Sequence, residues 1–351
     1  DTAAIASGTV TLDVAPTIQG LSLSGGTITG NNDLSITGLT SWTGGSSVME
    51  GTGTMRADGG LQMDGSFMDI QESRTLVNGA GQTANWTAGT LRLLVAGSTL
   101  QNEATALFNI TGDGRTLQGN GLFDNQGNLV VNLSDSTQEV DVDAGLDNDG
   151  SLDVQTGVLR LGSGGTHTGV FTGGANSVLE FSGGTHTLEA GSSVTATNVR
   201  FSAQDAGAGN TFIDGTYNAT NTEIEGNTAH FNAAAQTGTL TQSGGTLDGT
   251  GTLTVTGLTS WTGGSSVMEG TGTTRADGGL QMDGSFMDIQ ESRTLVNGAG
   301  QTANWTAGGY RLLNLGSTMQ NEATAHFNVT GDGRTLTGSG TFENIGNMTV
   351  N

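Results

Sequence analysis

The sequence predicts an all-β protein: a right-handed parallel β-helix, or β-solenoid, whose coils of roughly 19–24 residues stack into an elongated rod. Three observations lead to this prediction. The chain contains a long internal duplication, a shorter period inside it, and short runs of alternating apolar and polar residues that end in Gly, Asn, Asp or Ser. Such runs are typical of short strands joined by tight turns, and we find no helical 3.6-residue period of useful length.

The composition indicates a narrow core. Of 351 residues, 61 are glycine, one is proline and 33% are apolar, below the roughly 45–50% of an ordinary globular domain. The glycines keep no strict third-residue period, which excludes collagen. About seven or eight apolar residues per coil would fill a slim interior column, but they could not cover both faces of a wide sheet.

The duplication divides the chain into two units. Residues 1–132 align with residues 220–351 at a constant offset of 219. Between 38–89 and 257–308 one position differs, where Met55 is matched by Thr274. We therefore predict a first full repeat unit, 1–219, a partial second unit, 220–351, and one continuous solenoid. An array that stops partway through a unit is expected to belong to a longer protein.

A series of asparagines marks the shorter period. In the first unit they follow one another at steps of 24, 23 and 23 residues. The series comprises Asn78, Asn102, Asn125 and Asn148, and continues in the second unit at Asn297, Asn321 and Asn344. Equivalent residues of neighbouring coils stack about 4.8 Å apart. We predict a structural ladder of inward amides that bond to one another and to turn backbone. The alternative is that these asparagines contact a sugar.

Glycine pairs and tryptophans complete the predicted coil. Pairs such as Gly44–Gly45 are expected at corners, where the backbone needs positive φ or close approach. Trp42 and Trp86 lie about two coils apart, and recur in the second unit as Trp261 and Trp305. They are expected to pack in the interior or at corners. The alternative is an exposed aromatic platform for carbohydrate.

The charge distribution excludes several partners. The formal net charge is −23, and all ten cationic side chains are arginine. Phosphate binding needs a basic face, so nucleic acid and anionic membrane surfaces are not expected partners. No apolar run approaches the ~18 residues of a membrane span, so we predict no membrane insertion by this segment. Without cysteine, the chain forms no disulfides.

Three segments resemble a known class of protein. They are Trp-Thr-Gly-Gly-Ser-Ser-Val-Met-Glu-Gly-Thr-Gly-Thr at 42–54, Gly-Ser-Leu-Asp-Val-Gln-Thr-Gly-Val-Leu-Arg-Leu at 150–161, and Gly-Thr-Leu-Thr-Val-Thr-Gly-Leu-Thr-Ser-Trp at 251–261. They are similar to the Gly/Thr/Asn-rich β-solenoid repeats of large bacterial surface proteins of the β-helical adhesin and autotransporter type. The resemblance implies export, a right-handed β-solenoid and no catalysis in the repeat itself.

The resemblance and the residues together predict a structural role. We expect a segment of an extracellular bacterial fibre or cell-surface adhesin, rigid and associating end to end. The expected partner is the chain itself, as a homopolymer or a tandem array, and surface glycans are a second candidate. Absent thiols and high acidity also suit the bacterial exterior.

Two clusters could hold metal. Asp147, Asp149 and Asp153 alternate around a glycine, as in oxygen-rich calcium loops, and are a candidate calcium site. The alternative is an ordinary acidic exterior face. His167 and His186 both lie in Gly-Gly-Thr-His-Thr and could stack and bind a transition metal, or could simply occupy a repeated surface position. Apart from calcium, no cofactor is expected.

Two further functions are weighed as alternatives. Parallel β-helices include pectin-cleaving enzymes, and Asp64 and Asp69 form the nearest acidic pair, but no loop insertion builds a cleft around them. We therefore predict no enzyme. Threonine-rich runs such as Thr252-Leu-Thr-Val-Thr could stack into a flat ice- or surface-binding array, although threonine is also a common strand residue.

Overall fold

The computed structural model describes residues 1–203 and 207–351, in two compact parts, Asp1–Leu179 and Glu180–Asn351. All regular elements among these residues are β-strands, and no helix occurs in this part of the chain. Strand pairs in both units are parallel. The predicted all-β parallel β-solenoid is confirmed. The division at Leu179 does not coincide with the end of the first sequence repeat, at residue 219.

The strands are short, and most contain three to five residues. They are β1 (Thr2–Ile5), β2 (Thr9–Thr11), β3 (Thr17–Ile18), β4 (Gly20–Leu23), β5 (Gly26–Thr29), β6 (Leu34–Ile36), β7 (Thr40–Trp42), β8 (Ser47–Met49), β9 (Thr54–Ala57), β10 (Leu61–Met63), β11 (Phe67–Ile70), β12 (Thr75–Asn78), β13 (Thr83–Trp86), β14 (Thr90–Leu93), β15 (Thr99–Asn102), β16 (Leu107–Ile110), β17 (Arg115–Asn125), β18 (Asn128–Asn132), β19 (Glu139–Asn148), β20 (Ser151–Leu161), β21 (Gly165–His167), β22 (Val170–Phe181), β23 (Thr185–Leu188), β24 (Ser193–Ala196), β25 (Asn198–Phe201), β26 (Asn210–Ile213), β27 (Thr216–Ile224), β28 (Thr228–Phe231), β29 (Ala235–Gln242), β30 (Thr246–Asp248), β31 (Thr252–Val255), β32 (Thr259–Trp261), β33 (Gly264–Met268), β34 (Thr273–Ala276), β35 (Leu280–Met282), β36 (Phe286–Ile289), β37 (Thr294–Asn297), β38 (Thr302–Trp305), β39 (Gly309–Leu312), β40 (Thr318–Asn321), β41 (His326–Val329), β42 (Thr335–Gly338), β43 (Thr341–Asn344) and β44 (Asn347–Val350).

Each coil is built from three strand positions. Through much of both units a strand pairs with the third strand after it, as β10 does with β13 and β12 does with β15. Leu76 thus lies opposite Leu100, and both are fully buried. Side chains alternate between the interior and the surface along each strand, because successive Cβ atoms point to opposite faces. The core is therefore a set of columns of stacked apolar residues.

The coils vary in length along the chain. Thr2 has Gly20 as its register partner in a short coil, whereas Leu93 has Gly119 as its partner in a long one. These two coils extend slightly beyond the predicted range, one at each end. Strand length varies as well, from two residues in β3 to twelve in β22.

Glycine is required where corners of successive coils touch. Gly44 lies so close to the coil before it that an added Cβ would overlap the carbonyl of Ser24. Gly89 combines a positive φ of 78° with a position where a Cβ would overlap the carbonyl oxygen of Gly65. The corner prediction for Gly44 is confirmed, because only a residue without a side chain allows this approach.

The tryptophans lie in the interior, as expected. Trp42, Trp86 and Trp261 are at most 1% exposed, and Trp305 is 5% exposed. The indole nitrogen of Trp42 donates to Ser47 Oγ at 2.5 Å, and that of Trp86 donates to the carbonyl of Ala88. The alternative of an exposed aromatic platform for carbohydrate is therefore wrong for these residues.

Two buried tyrosines give a matched pair of predictions. Tyr310 packs edge-on against Trp261, with ring centroids 5.9 Å apart, and its hydroxyl has no hydrogen-bond partner among the described residues. Tyr217 is equally buried, but its hydroxyl lies 2.8 Å from Thr222 Oγ1. Burial raises the pKa of both phenols, so both stay neutral.

We expect Tyr310→Phe to raise thermal stability and Tyr217→Phe to lower it. An unpaired buried hydroxyl costs roughly 1–3 kcal/mol, whereas loss of a satisfied one removes about 1 kcal/mol. Scanning calorimetry of both variants measures the two shifts in melting temperature. A loss of stability in both variants would contradict the assignment of Tyr310 as unsatisfied.

No helix among the described residues has the length and apolar character needed to cross a bilayer.

Candidate functional site

The first asparagine series forms one continuous buried column. The side-chain amide of Asn78 donates to Asn102 Oδ1 at 2.8 Å, Asn102 donates to Asn125 at 2.8 Å, and Asn125 donates to Asn148 at 2.7 Å. All four side chains are 0% exposed. The structure thus brings together the four predicted residues of the first unit, in register on β12, β15, β17 and β19.

Each amide also donates to a backbone carbonyl at the corner of the next coil. Asn78 Nδ2 donates to the carbonyl of Leu107 at 3.0 Å, and Asn125 Nδ2 donates to the carbonyl of Ser151 at 3.0 Å. The amides of Asn78, Asn102 and Asn125 therefore tie their own coil to the next asparagine and to the next corner, and the amide of Asn148 donates to the carbonyl of Val170 at 3.2 Å. Asn78 Oδ1 begins the column without a partner among the described residues, because its preceding neighbour in register is Ala57.

The second unit repeats the column and leaves its last member exposed. Asn297 donates to Asn321 at 2.8 Å, and Asn321 donates to Asn344 at 2.7 Å. Asn297 and Asn321 are 0% exposed, whereas Asn344 is exposed. Its first-unit counterpart Asn125 is covered by β19.

The three predicted calcium ligands each accept a hydrogen bond from a different threonine. Asp147 Oδ1 accepts from the backbone of Thr166 at 2.7 Å, and Asp149 Oδ1 accepts from the hydroxyl of Thr168 at 2.5 Å. Asp153 similarly accepts from a threonine one coil on, Thr172, at 2.6 Å. In the described residues, no group of three or more His, Cys, Asp or Glu side chains has an arrangement suited to a metal. Calcium binding stays a prediction.

Equilibrium dialysis against calcium tests this prediction. If the three carboxylates act together, replacing all three with asparagine will abolish binding, because neutral amides attract the cation less strongly. The matched control is Asp124→Asn, which removes one charge from a neighbouring carboxylate that accepts from Gln101. Equal calcium binding by the unmodified chain and the triple variant would remove the idea.

The histidines of the repeated Gly-Gly-Thr-His-Thr motif face the interior. His167 is 0% exposed and His186 is 1% exposed. His167 meets Phe171 edge-on at 5.1 Å, and its Nδ1 accepts from the backbone nitrogen of Asn148 at 3.3 Å. The alternative of a repeated surface position is wrong, because both side chains serve as core residues.

A repeated ion pair spans three coils on the surface. The guanidinium of Arg56 binds both carboxylate oxygens of Glu103, two coils further on, and also contacts Asp58 at 2.8 Å. Glu103 Oε2 accepts from the backbone of Ala80 at 3.0 Å as well. The second unit has the same arrangement between Arg275 and Glu322, at 2.7 and 2.8 Å.

The hydrogen bond from Arg56 lowers the pKa of Glu103 below its usual value of 4.5. A carboxyl whose pKa is lower in the folded chain stabilises the fold above the unfolded value. That contribution is lost as pH falls through the folded value. Glu103→Gln is therefore expected to cost about 1 kcal/mol at pH 7, because the pair is partly exposed, and less at pH 3.

Urea midpoints at the two pH values measure this difference. Glu343→Gln is the matched control, since the Glu343 carboxylate is exposed and is bound by Gln320 rather than by an arginine. If the urea midpoint of Glu103→Gln differs from that of the unmodified chain by the same amount at pH 7 and at pH 3, the ion-pair explanation is contradicted.

Sequence reasoning missed a buried arginine that joins three coils. Arg74 is 0% exposed, and its guanidinium donates to the carbonyls of Gly30 at 2.6 Å, Asn32 at 3.2 Å and Glu50 at 2.5 and 2.8 Å. A Cβ at Gly51 would meet this guanidinium, so the corner is shaped around it. In the sequence, the one indication of this contact is that Arg74 follows Gly51-Thr-Gly by about one coil.

The equivalent arginine of the second unit uses a different partner. Arg293 is also 0% exposed and donates to Thr274 Oγ1 at 2.9 and 3.3 Å, and to the carbonyl of Gly249 at 3.2 Å. Thr274 is the residue that replaces Met55, so the single difference between the near-identical stretches lies in this contact. Burial lowers the pKa of Arg293 to about 10.

One member of the acidic pair considered for catalysis, Asp69, forms an ion pair with Arg92. Asp69 is 9% exposed, and both of its oxygens accept from Arg92 at 2.6 Å. The guanidinium of Arg92 lies 4.9 Å from the ring centre of the half-exposed Phe67. The Asp69 carboxylate is thus held by a neighbouring coil.

Threonines of the second unit stack in single file. The column contains Thr252, Thr273, Thr294, Thr318 and Thr341. Two residues further along the same strands, on the same face, the neighbouring column contains Thr254, Arg275, Val296, Gln320 and Glu343. The threonines therefore do not extend sideways into a two-dimensional array at this position.

No protein-family model, curated protein sequence or solved structure matches this chain significantly.

Proposed function

We propose that this chain is a structural β-solenoid segment of an extracellular bacterial fibre or cell-surface adhesin. One observation carries the proposal: the polar residues that recur in both units bind coil to coil. Three kinds of contact connect the coils: the asparagine column, the Arg56–Glu103 ion pair and the hydrogen bonds of the buried Arg74. Each of them has a counterpart in the second unit. Such bonds stiffen a solenoid, in which each coil otherwise contacts only its neighbours.

The location is supported by the sequence. The similarity to repeats of large bacterial surface proteins, the lack of cysteine and the net charge of −23 all suit the bacterial exterior. A high negative charge also keeps the sides of neighbouring molecules apart. Antibodies against the chain should therefore label intact cells of the organism that encodes it, and external protease should remove that label. Labelling only after cell lysis would overturn the location.

End-to-end association is the second part of the proposal. The coil β42–β44 exposes Leu336, Met348 and Val350, at 44%, 47% and 70%. Unpaired strand edges with exposed apolar side chains favour pairing with further strands. Surface glycans remain a proposed partner of the coil faces.

Sedimentation velocity over a concentration series tests this association. The unmodified chain should form larger species as concentration rises, and Val350→Lys should shift that transition to at least tenfold higher concentration. Leu258→Lys is the matched control, because Leu258 is 47% exposed at the corner between β31 and β32, several coils before β43. A chain that stays monomeric at all concentrations, or association that Leu258→Lys weakens equally, would contradict end-to-end association.

A further inference from the structure

We propose that a group of three outward residues, present in both units, binds a neutral surface polysaccharide built of pyranose sugars. The proposal rests on the solenoid function proposed above, and it names the site and the chemical class of the surface glycan. The first ring–arginine site consists of Phe67, Asp69 and Arg92, and the second consists of their counterparts at an offset of 219, Phe286, Asp288 and Arg311.

Each ring–arginine site contains an exposed aromatic ring. Among residues 1–203 and 207–351, the exposed aromatic side chains are Phe67, at 45%, and Phe286, at 53%. The other aromatic side chains of this part of the chain are buried or half-buried. The two exposed rings thus occupy equivalent positions of the repeat, and each leaves apolar aromatic surface available to a ligand.

A fixed ion pair lies beside each ring. Nε and Nη2 of Arg92 donate to the two carboxylate oxygens of Asp69, both at 2.6 Å, and the guanidinium carbon lies 4.9 Å from the ring centre of Phe67. The corresponding distances in the second site are 2.5, 2.5 and 5.4 Å. Nη1 takes no part in this pair and can donate to a ligand hydroxyl, and the carboxylate oxygens can accept further bonds. An apolar ring therefore lies next to donor and acceptor groups of fixed orientation.

These groups match the chemistry of a neutral pyranose. One face of such a sugar carries C–H groups that pack on an aromatic ring, and the hydroxyls around its rim pair with polar side chains. A cationic ligand is disfavoured, because the guanidinium of Arg92 already lies over the ring. An acidic sugar is disfavoured, because the chain carries a net charge of −23.

A protein partner fits the ring–arginine sites less well. A stable protein interface buries about 800 Å² on each partner, whereas one phenylalanine buries roughly 150–250 Å². The register neighbours of Phe286 are Gly264 and Gly309, so the aromatic surface does not continue onto the adjacent strands. A polysaccharide needs only small sites, because it presents many equivalent sugars and two weak sites on one chain can act together.

The second unit retains the arginine in a segment that has otherwise changed. Residues 90–96 read Thr-Leu-Arg-Leu-Leu-Val-Ala, and residues 309–315 read Gly-Tyr-Arg-Leu-Leu-Asn-Leu, with differences at four of the seven positions. One difference lies directly beside the ring, where Thr90 is the register neighbour of Phe67 and Gly309 that of Phe286. The ring, the carboxylate and the arginine are thus shared although their surroundings differ.

Affinity electrophoresis of the full chain tests the proposal. Native gels contain dissolved dextran, mannan or galactan as neutral probes, or polygalacturonate as the acidic probe. We expect at least one neutral polymer to retard the chain, and polygalacturonate to leave its mobility unchanged. Phe67→Thr combined with Phe286→Thr should raise the apparent dissociation constant for the retarding polymer at least tenfold, because both stacking rings are lost. Each single variant should have an intermediate effect.

Two double variants serve as controls. Leu39→Thr with Leu258→Thr removes two other exposed apolar side chains at equivalent positions, 56% and 47% exposed, and should leave the retardation unchanged. Phe67→Tyr with Phe286→Tyr keeps the rings and should bind like the unmodified chain. Melting temperatures show whether each variant remains folded.

A second measurement uses the unmodified chain and therefore does not depend on the folding of any variant. In NMR spectra, the Nε–H signals of Arg92 and Arg311 should shift when oligosaccharides of the retarding polymer are added. The signal of the buried Arg74 should stay in place.

Retardation by none of the neutral polymers would overturn the proposal, as would retardation that the double threonine variant leaves unchanged or arginine signals that do not shift. If the double threonine variant alters only self-association in sedimentation velocity, the rings form contacts between copies of the chain and the proposal is wrong. Cell labelling involves no polysaccharide probe, so the proposed function stands or fails separately.

Discussion

Asn102→Ala is expected to lower the local stability of its coil by about 3 kcal/mol or more. The change removes the acceptor of the Asn78 amide and the donor to Asn125 Oδ1 and to the carbonyl of Asn128, all in the interior. Each buried polar group left unsatisfied costs roughly 1–3 kcal/mol. Native-state hydrogen exchange of the β15 and β17 amides measures the loss, since the coils of a solenoid can open locally.

Two further variants test whether the loss of stability comes from the buried position of Asn102 in the column, and not from the loss of any asparagine–asparagine hydrogen bond. Asn102→Asp should cost more than alanine at neutral pH, because a buried carboxylate faces Asn125 Oδ1 without a proton to donate. The outward pair Asn85–Asn109, at 3.0 Å and half-buried, is the matched control. Asn109→Ala should cost less than about 0.5 kcal/mol, because water can replace the lost bond. Equal effects at Asn102 and Asn109 would contradict the structural role of the column.

Arg74→Met is the second change with a large expected effect, a loss of about 3 kcal/mol. Methionine fills much of the space but leaves the carbonyl oxygens of Gly30, Asn32 and Glu50 without their donor. Burial lowers the pKa of Arg74, so the buried charge itself opposes folding at neutral pH. The hydrogen bonds offset that cost, and methionine removes both contributions while stranding the acceptors.

The second unit provides the internal comparison. Arg293→Met should cost less than Arg74→Met, because Arg293 binds two backbone carbonyls, of Gly249 and Glu269, at 3.2 and 3.4 Å, whereas Arg74 binds three at 2.5–3.2 Å. Arg115→Met serves as the surface control, since Arg115 mainly binds the carbonyl of Asp113 in its own turn. Hydrogen exchange of the surrounding strands measures all three variants. An Arg74→Met chain as stable as the unmodified one would show that water satisfies the carbonyls.

The sequence by itself determined the fold class and the repeat, because both depend on local patterns. Alternating short runs require strands, and a regular short period requires that equivalent residues return to the same place. The positions of Asn78, Asn102, Asn125 and Asn148 also followed from this period, since the spacing between successive asparagines matches one coil.

Only the tertiary structure decided which face each remaining side chain occupies. His167 faces inward although its neighbour Thr166 is exposed, and a one-residue change of phase at the Gly164–Gly165 corner would reverse this. Arg74 is buried because carbonyls from two earlier coils converge on its guanidinium, and no local pattern encodes that convergence. Three-dimensional packing decides which side chains face inward after each corner and which residues of different coils touch. Local sequence patterns therefore do not predict these two features.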